Sequence, residues 1–251
     1  MSADVQERSV MVVGDRFEDF LTHPGTIAVS ALLEFLRTGG GDGPPKITVG
    51  QGLTGEQLAE LDKFADTGRC VLATQDRVPL PVERSVTHKV YEKNVLIGEL
   101  ERLGEGRYRT PLVLDERVEV LEDHLTGLHI PAVTLLEAAR QTWTAVTERH
   151  LIGPEPRSRF VISHVNSTFL NFVFPIPAQL EYRLRSREQG PVGHVIAFTV
   201  EVQQSGRIAA RFEAEIRVIP ERFAEKQEAM AARQTLRDEI APRPRATAMG
   251  R

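Results

Sequence analysis

Most of the side chains with chemical potential fall in one stretch, Asp123 to Gln141, which reads DHLTGLHIPAVTLLEAARQ. Glu137, Arg140 and Gln141 stand at i, i+3 and i+4, so a helix places all three on one face. Leu135, Leu136, Ala138, Ala139, Trp143 and Val146 surround them, making a polar triplet inside an otherwise apolar helix. A buried carboxylate and guanidinium are costly unless paired and hydrogen-bonded. Partial burial is expected to raise the pKa of Glu137 and suit it to proton transfer as a general base or acid. Arg140 then either keeps Glu137 ionised or binds an anionic group, and Gln141 hydrogen-bonds within the site. The competing reading is a plain i,i+3 ion pair on a solvated stripe.

Other candidates carry weaker signals. His124 and His129 lie in the loop before the helix, where histidines are often surface groups with no further role. His88, beside Lys89, reads as a strand end, and Trp143, one turn past the triplet, reads as core before substrate wall. Asp15 follows an apolar run, where a turn or capping role is favoured over cation binding. Val49-Gly-Gln-Gly52 lacks a third glycine at the spacing a dinucleotide loop needs. Cys70 sits in an apolar strand and reads as inert core.

These residues need elements to hold them. Val10–Val13 reads as a strand, Thr26–Arg37 as a helix and Ile47–Val49 as a strand. Thr54 is a good N-cap for a helix over Gly55–Ala65, and Cys70–Ala73 reads as a third strand. Residues 1–80 therefore form a small β-α-β-α-β domain. The proline-bearing run Val78–Val82 reads as a linker. Beyond it, Val90–Glu99 and Arg107–Leu114 read as strands, and Asp115–Ile130 as a loop. A strongly apolar helix follows from Ala132 to His150, with Pro131 fitting its first turn. Four strands close the region: Phe160–Phe174, Gln179–Arg187, His194–Gln204 and Ile208–Val218. Residues 221–251 read as a helix over Glu221–Ile240 and a basic, proline-containing tail.

Composition sets the outer bounds. The chain has 251 residues, 41% hydrophobic and 26% charged, within the ordinary globular range. Its 31 Lys+Arg against 35 Asp+Glu leave a net charge of −4, which attracts neither nucleic acid nor anionic lipid as a whole. No run is long and apolar enough to span a membrane, and the first residues lack the pattern of a secretory signal. The expectation is a soluble cytoplasmic protein. One cysteine cannot form an intrachain disulfide, and no Cys/His cluster suggests zinc, so no metal or cofactor is expected.

A long helix among antiparallel strands is an α+β arrangement, and the motif narrows it. His124, Gly127, Pro131, Glu137 and Gln141 resemble, allowing a one-residue gap, the loop-and-helix motif of beta-hydroxyacyl-carrier-protein dehydratases. The closer resemblance is to the A-factor (gamma-butyrolactone) biosynthesis hotdog family, the AfsA-like proteins. It rests on Thr87-His88-Lys89, on Val95-Leu-Ile97, on Glu137-Ala-Ala-Arg140-Gln141, and on Phe169–Phe174 with Pro175 and Pro177. It covers about residues 84–220. It implies a hotdog fold, an antiparallel sheet wrapped around a central helix, preceded here by a small α/β domain. Typical members carry two hotdog repeats, whereas this chain shows one, and its loop His124–His129 differs from the usual one.

The resemblance also implies chemistry on acyl thioesters. Members join a beta-ketoacyl group, carried by coenzyme A or a carrier protein, to a hydroxyl of dihydroxyacetone phosphate. By that analogy Glu137 activates the hydroxyl and helix N–H groups steady the oxyanion. Arg140 anchors phosphate or aligns Glu137; His124 is a third catalytic candidate; Gln141, His129, Trp143 and His88 are candidate substrate contacts. The alternatives are dehydratase or thioesterase chemistry with His124 and Glu137 as the acid/base pair, or a catalytically silent acyl-binding or scaffolding protein. A single hotdog leaves a sheet edge and part of the site unfinished, so a homodimer is expected.

Overall fold

The computed structural model describes residues 9–39, 43–74, 76–122, 127–152 and 158–240. His124 and the tail after Ile240 lie outside the described residues. Two sheets organise the chain: a parallel one of four strands and an antiparallel one of six.

The parallel sheet has the order β2-β1-β3-β4, from β1 (Val10–Val13), β2 (Thr26–Ala28), β3 (Lys46–Val49) and β4 (Val71–Leu72). Helix α1 (Val29–Thr38) buries Val29, Leu32, Leu33 and Leu36, and ends on Gly39 at φ 71°, a left-handed C-cap. Helix α2 (Gly55–Asp66) opens on a capping box, in which the Thr54 hydroxyl accepts from Gln57 N and the Gln57 amide oxygen accepts from Thr54 N. The extra strand β2 corrects the expected helix start at Thr26. Thr26, Ile27 and Ala28 are drawn into a ladder with Met11, Val12 and Val13, and the helix begins only after them. Asp15 caps that helix from outside, its carboxylate accepting from Ser30 N at 3.2 Å and Ser30 Oγ at 2.9 Å. Cys70 is buried in this core, which pushes its thiol up to about 11.

The antiparallel sheet runs β5-β6-β8-β9-β10-β7. Its strands are β5 (Glu101–Gly104), β6 (Arg107–Pro111), β7 (Ser158–Phe169), β8 (Gln179–Gly190), β9 (Gly193–Gln204) and β10 (Arg207–Pro220). Between β6 and β7 come the single turn α3 (Glu119–Glu122) and the long helix α4 (Ala132–Val146), which continues as a π-helical turn over Thr147–Ile152. Helix α4 lies on β8, β9 and β10, and the core between them holds Trp143, Tyr182, Phe198 and Phe212, each fully buried. A long helix held against an antiparallel sheet is the hotdog arrangement, so the expected α+β fold is observed. Helix α5 (Glu221–Ile240) follows β10 and is exposed along nearly its whole length.

The expected strand Val90–Glu99 does not form. Arg84–Thr87 and Glu92–Asn94 are short 3-10 turns, Val90 and Tyr91 are exposed, and only the following residues are extended, with Ile97 bridged to Leu112. The reason is where the backbone hydrogen bonds go. The buried amide of Gln141 accepts from Leu96 N at 2.8 Å and donates to Asn94 O at 2.8 Å, taking the place of a neighbouring strand. The polar strand β5 was not anticipated, because an exposed edge strand carries no apolar alternation.

The two sheets are joined by the Val49-Gly-Gln-Gly52 run. The buried Gln51 side chain donates to Leu112 O at 3.0 Å and accepts from Leu114 N at 2.9 Å. A side chain on Gly50 would meet Pro175 O at 2.3 Å, so glycine is what permits this approach. The glycine pair docks one sheet on the other.

Candidate active site

Helix α4 begins after Pro131, whose extended backbone forms the N-cap without any side-chain cap. Its polar triplet faces the segment Thr87-His88-Lys89. Both oxygens of Glu137 are engaged: Oε2 accepts from Arg140 Nε at 2.8 Å, and Oε1 accepts from Arg140 Nη2 at 2.9 Å and Gln141 Nε2 at 3.0 Å. Lys89 Nζ lies 2.6 Å from the same Oε1. Arg140 Nη2 donates onward to Thr87 O at 2.9 Å.

This corrects the expected protonation behaviour of Glu137. Burial is the strongest single influence and pushes its carboxyl up. Hydrogen bonds and charge from Arg140, with hydrogen bonds from Lys89 and Gln141, together outweigh it and hold the pKa below the ordinary carboxylate value. The lowered pKa favours the ionised form of Glu137, whose two oxygens hold Arg140, Gln141 and Lys89.

His88 sits between the two anchored residues in a left-handed conformation, φ 57°. Such a backbone is uncommon outside glycine and costs free energy unless its surroundings enforce it. Its imidazole Nε2 lies 2.5 Å from Glu148 Oε1, and its ring meets Phe160 edge-on at 5.2 Å. Glu148 belongs to the π-helical turn that extends α4, a kind of irregularity often found at functional sites. Three consecutive residues are thus gripped by one helix face: Thr87 by Arg140, His88 by Glu148 and Lys89 by Glu137.

This clamp borders an open cavity of about 880 Å³ between α4 and β7, whose walls include Trp143, Phe160 and Ile162 beside His88, Arg140 and Glu148. A family model describing the A-factor biosynthesis hotdog domain, AfsA, matches residues 72–220. The chain belongs to the AfsA hotdog family. The AfsA match begins at β4 and ends with β10, so most of the α/β sheet precedes it.

No curated protein sequence matches this chain. Among solved structures, the chain is similar to a thioesterase from Haemophilus influenzae at 13% identity, covering 65% of this chain and 90% of that one, with a TM-score of 0.37. A thioesterase from Pseudomonas aeruginosa matches at 14% identity, over 49% of this chain and 81% of that one, with a TM-score of 0.37. The PaaI protein of the E. coli phenylacetic acid degradation operon matches at 13% identity, over 47% and 81%, with a TM-score of 0.36. Likenesses this distant say nothing about what the AfsA hotdog described here acts on.

The structure brings Glu137, Arg140, Gln141 and His88 together and places Trp143 in a wall of the cavity, tilted against Phe198 at 5.1 Å. Gln141 is fully buried, with its amide committed to residues 94–96 and Glu137 rather than presented to the cavity. His129 packs against Phe172 and is not among the residues lining that cavity. Sequence reasoning missed Glu148, and it read Lys89 as part of the Thr87-His88-Lys89 motif without assigning it to the site. Glu148 had a legible signal, since Arg140, Thr144 and Glu148 fall at i, i+4 and i+8 on the AfsA helix. Among the described residues, no group of three or more His, Cys, Asp or Glu is arranged to hold a metal.

Proposed function

We propose that this AfsA hotdog is an acyl-thioester enzyme that transfers a beta-ketoacyl group from coenzyme A or a carrier protein to a hydroxyl acceptor such as dihydroxyacetone phosphate. The observation that carries this is the clamped Thr87-His88-Lys89 segment beside a cavity with both apolar and cationic walls. An apolar wall suits an acyl chain, and Arg140 suits an anionic acceptor. Among the described residues its Nη1 has only a long contact, 3.4 Å, to the Thr144 hydroxyl, which suits it to a further partner. Glu137 serves in this reading by holding Arg140 and Lys89 in place.

The single-hotdog chain acts in this reading as a homodimer. Strand β7 is one of the two outer strands of its sheet, twelve residues long, with Val161, Ile162 and Phe169 exposed on it. A long apolar edge is an aggregation hazard unless something covers it. A second copy pairing along β7 also closes the open side of the cavity, which β7 borders.

One observation favours a second reading. A carboxylate with four hydrogen-bond or ion-pair contacts and a lowered pKa also suits a silent acyl-binding protein. It equally disfavours dehydratase or thioesterase chemistry that relies on Glu137 as one of two proton carriers. Incubation with a beta-ketoacyl thioester, with and without dihydroxyacetone phosphate, separates the cases by mass. The expected result is an acceptor-dependent ester. Release of free acid without acceptor indicates thioesterase action, loss of water from the corresponding beta-hydroxyacyl thioester indicates dehydratase action, and binding without turnover indicates the silent protein.

A further inference from the structure

We propose that His88 is the proton-transfer residue of this site and that Glu148 is its positioning residue. The inference rests on the acyl-transfer reading above and names a base that the Glu137 triplet does not supply. Glu137 has both oxygens occupied and is held as an anion, whereas His88 lines the cavity with one ring nitrogen committed and the other open. With Glu148 accepting from Nε2–H, the neutral tautomer leaves its lone pair on Nδ1, to which no described residue hydrogen-bonds. A carboxylate behind an imidazole fixes the tautomer and the ring plane and stabilises the imidazolium that forms in the reaction.

The residues around that ring hold it in place. The neighbours of His88 on both sides are tied to α4, through Thr87 O to Arg140 and through Lys89 to Glu137. That double anchor maintains the left-handed backbone at His88, and the edge of Phe160 packs on the ring. A strained residue held by its flanks, beside a cavity, is the arrangement expected where geometry serves chemistry.

In the proposed step, Nδ1 of His88 takes the proton from the acceptor hydroxyl as its oxygen attacks the thioester carbonyl carbon. The tetrahedral intermediate collapses by breaking the C–S bond, and the departing thiolate takes the proton back from the imidazolium. The products are an ester and a free thiol, with no oxidant or further reactant.

The test uses the full chain with a beta-ketoacyl thioester and dihydroxyacetone phosphate. Glycine adopts the backbone of His88 without strain, so His88→Gly is expected to stay folded by circular dichroism. Its kcat should fall about a hundredfold or more, the usual contribution of a positioned acid or base, with KM changed less than about threefold. Added imidazole should restore part of the lost rate, which a purely structural histidine would not allow. Glu148→Ala should lower kcat with little change in KM, and Glu148→Gln should recover part of the loss, because its amide oxygen can still accept from Nε2–H. A folded His88→Gly variant with wild-type kcat, or a loss that imidazole leaves untouched, overturns the proposal while the transfer reading stands. A wild-type protein that turns over no thioester overturns the transfer reading itself, and the base role falls with it.

Discussion

Lys89 places its ammonium 2.6 Å from Oε1 of Glu137, and each side chain is about three-quarters buried. This contact ties the loop after the first 3-10 turn of the hotdog to the middle of its central helix. Arg140 shares the same carboxylate and reaches the backbone of Thr87, so one anion organises two cations and a loop.

Removing that anion should destabilise the fold. Glu137→Gln leaves Lys89 and Arg140 partly buried without their counter-charge. Breaking a fully buried pair costs about 3–5 kcal/mol, and the residual exposure here lowers the expectation to about 2 kcal/mol. Urea denaturation of wild type and variant measures the difference. A change below about 0.5 kcal/mol, the range of ordinary surface substitutions, would show that the clamp contributes little to stability.

The same group sets an acid-side pH dependence. The folded-state pKa of Glu137 is depressed, so its contribution is fully present above the unfolded-state value and is lost as pH falls through the lower folded-state value. The gap in Tm between wild type and Glu137→Gln should therefore be constant near neutrality and close as the solution is acidified below the ordinary carboxylate range. A gap that persists unchanged at the lowest pH where both variants still fold would assign the stabilisation to something other than ionisation.

Gln51 should control the docking of the two sheets. Gln51→Leu keeps the bulk but strands the Leu112 carbonyl and the Leu114 N–H, at about 1–3 kcal/mol for each unsatisfied group. The junction should open before either sheet melts. Limited proteolysis should then cut within residues 76–82 faster than in wild type, and equal cutting rates would argue against a docking role.

Strand β7 should carry self-association. Ile162→Lys places a charge on the exposed edge, a device that proteins use to block edge pairing. Sedimentation velocity at micromolar concentration should show a dimer for wild type and a monomer for the variant. A monomeric wild type would remove the homodimer from the proposed function.

Local patterns were enough to place most elements. The apolar periodicity of α4 and the alternation of β8, β9 and β10 mark a helix held in a sheet, because burying one face imposes a period on the chain. The capping box at Thr54 and the glycine C-cap at Gly39 mark helix ends by equally local chemistry. The Glu137–Arg140–Gln141 face was also legible, since neighbours at i, i+3 and i+4 meet in any helix.

The partners of that face were a matter for the tertiary structure. Lys89, His88 and Thr87 are remote in sequence from α4, and only the packing of the loop on the helix brings them to it. That packing reversed the expected pKa shift of Glu137, because the sum of burial and pairing depends on who the neighbours are. It also replaced the expected strand over Val90–Glu99 with a segment bonded to a side chain, Gln141. A sequence determines which faces must be buried and which residues can pair within a turn. Long-range contacts decide which groups finally share a dielectric, a hydrogen bond and a cavity.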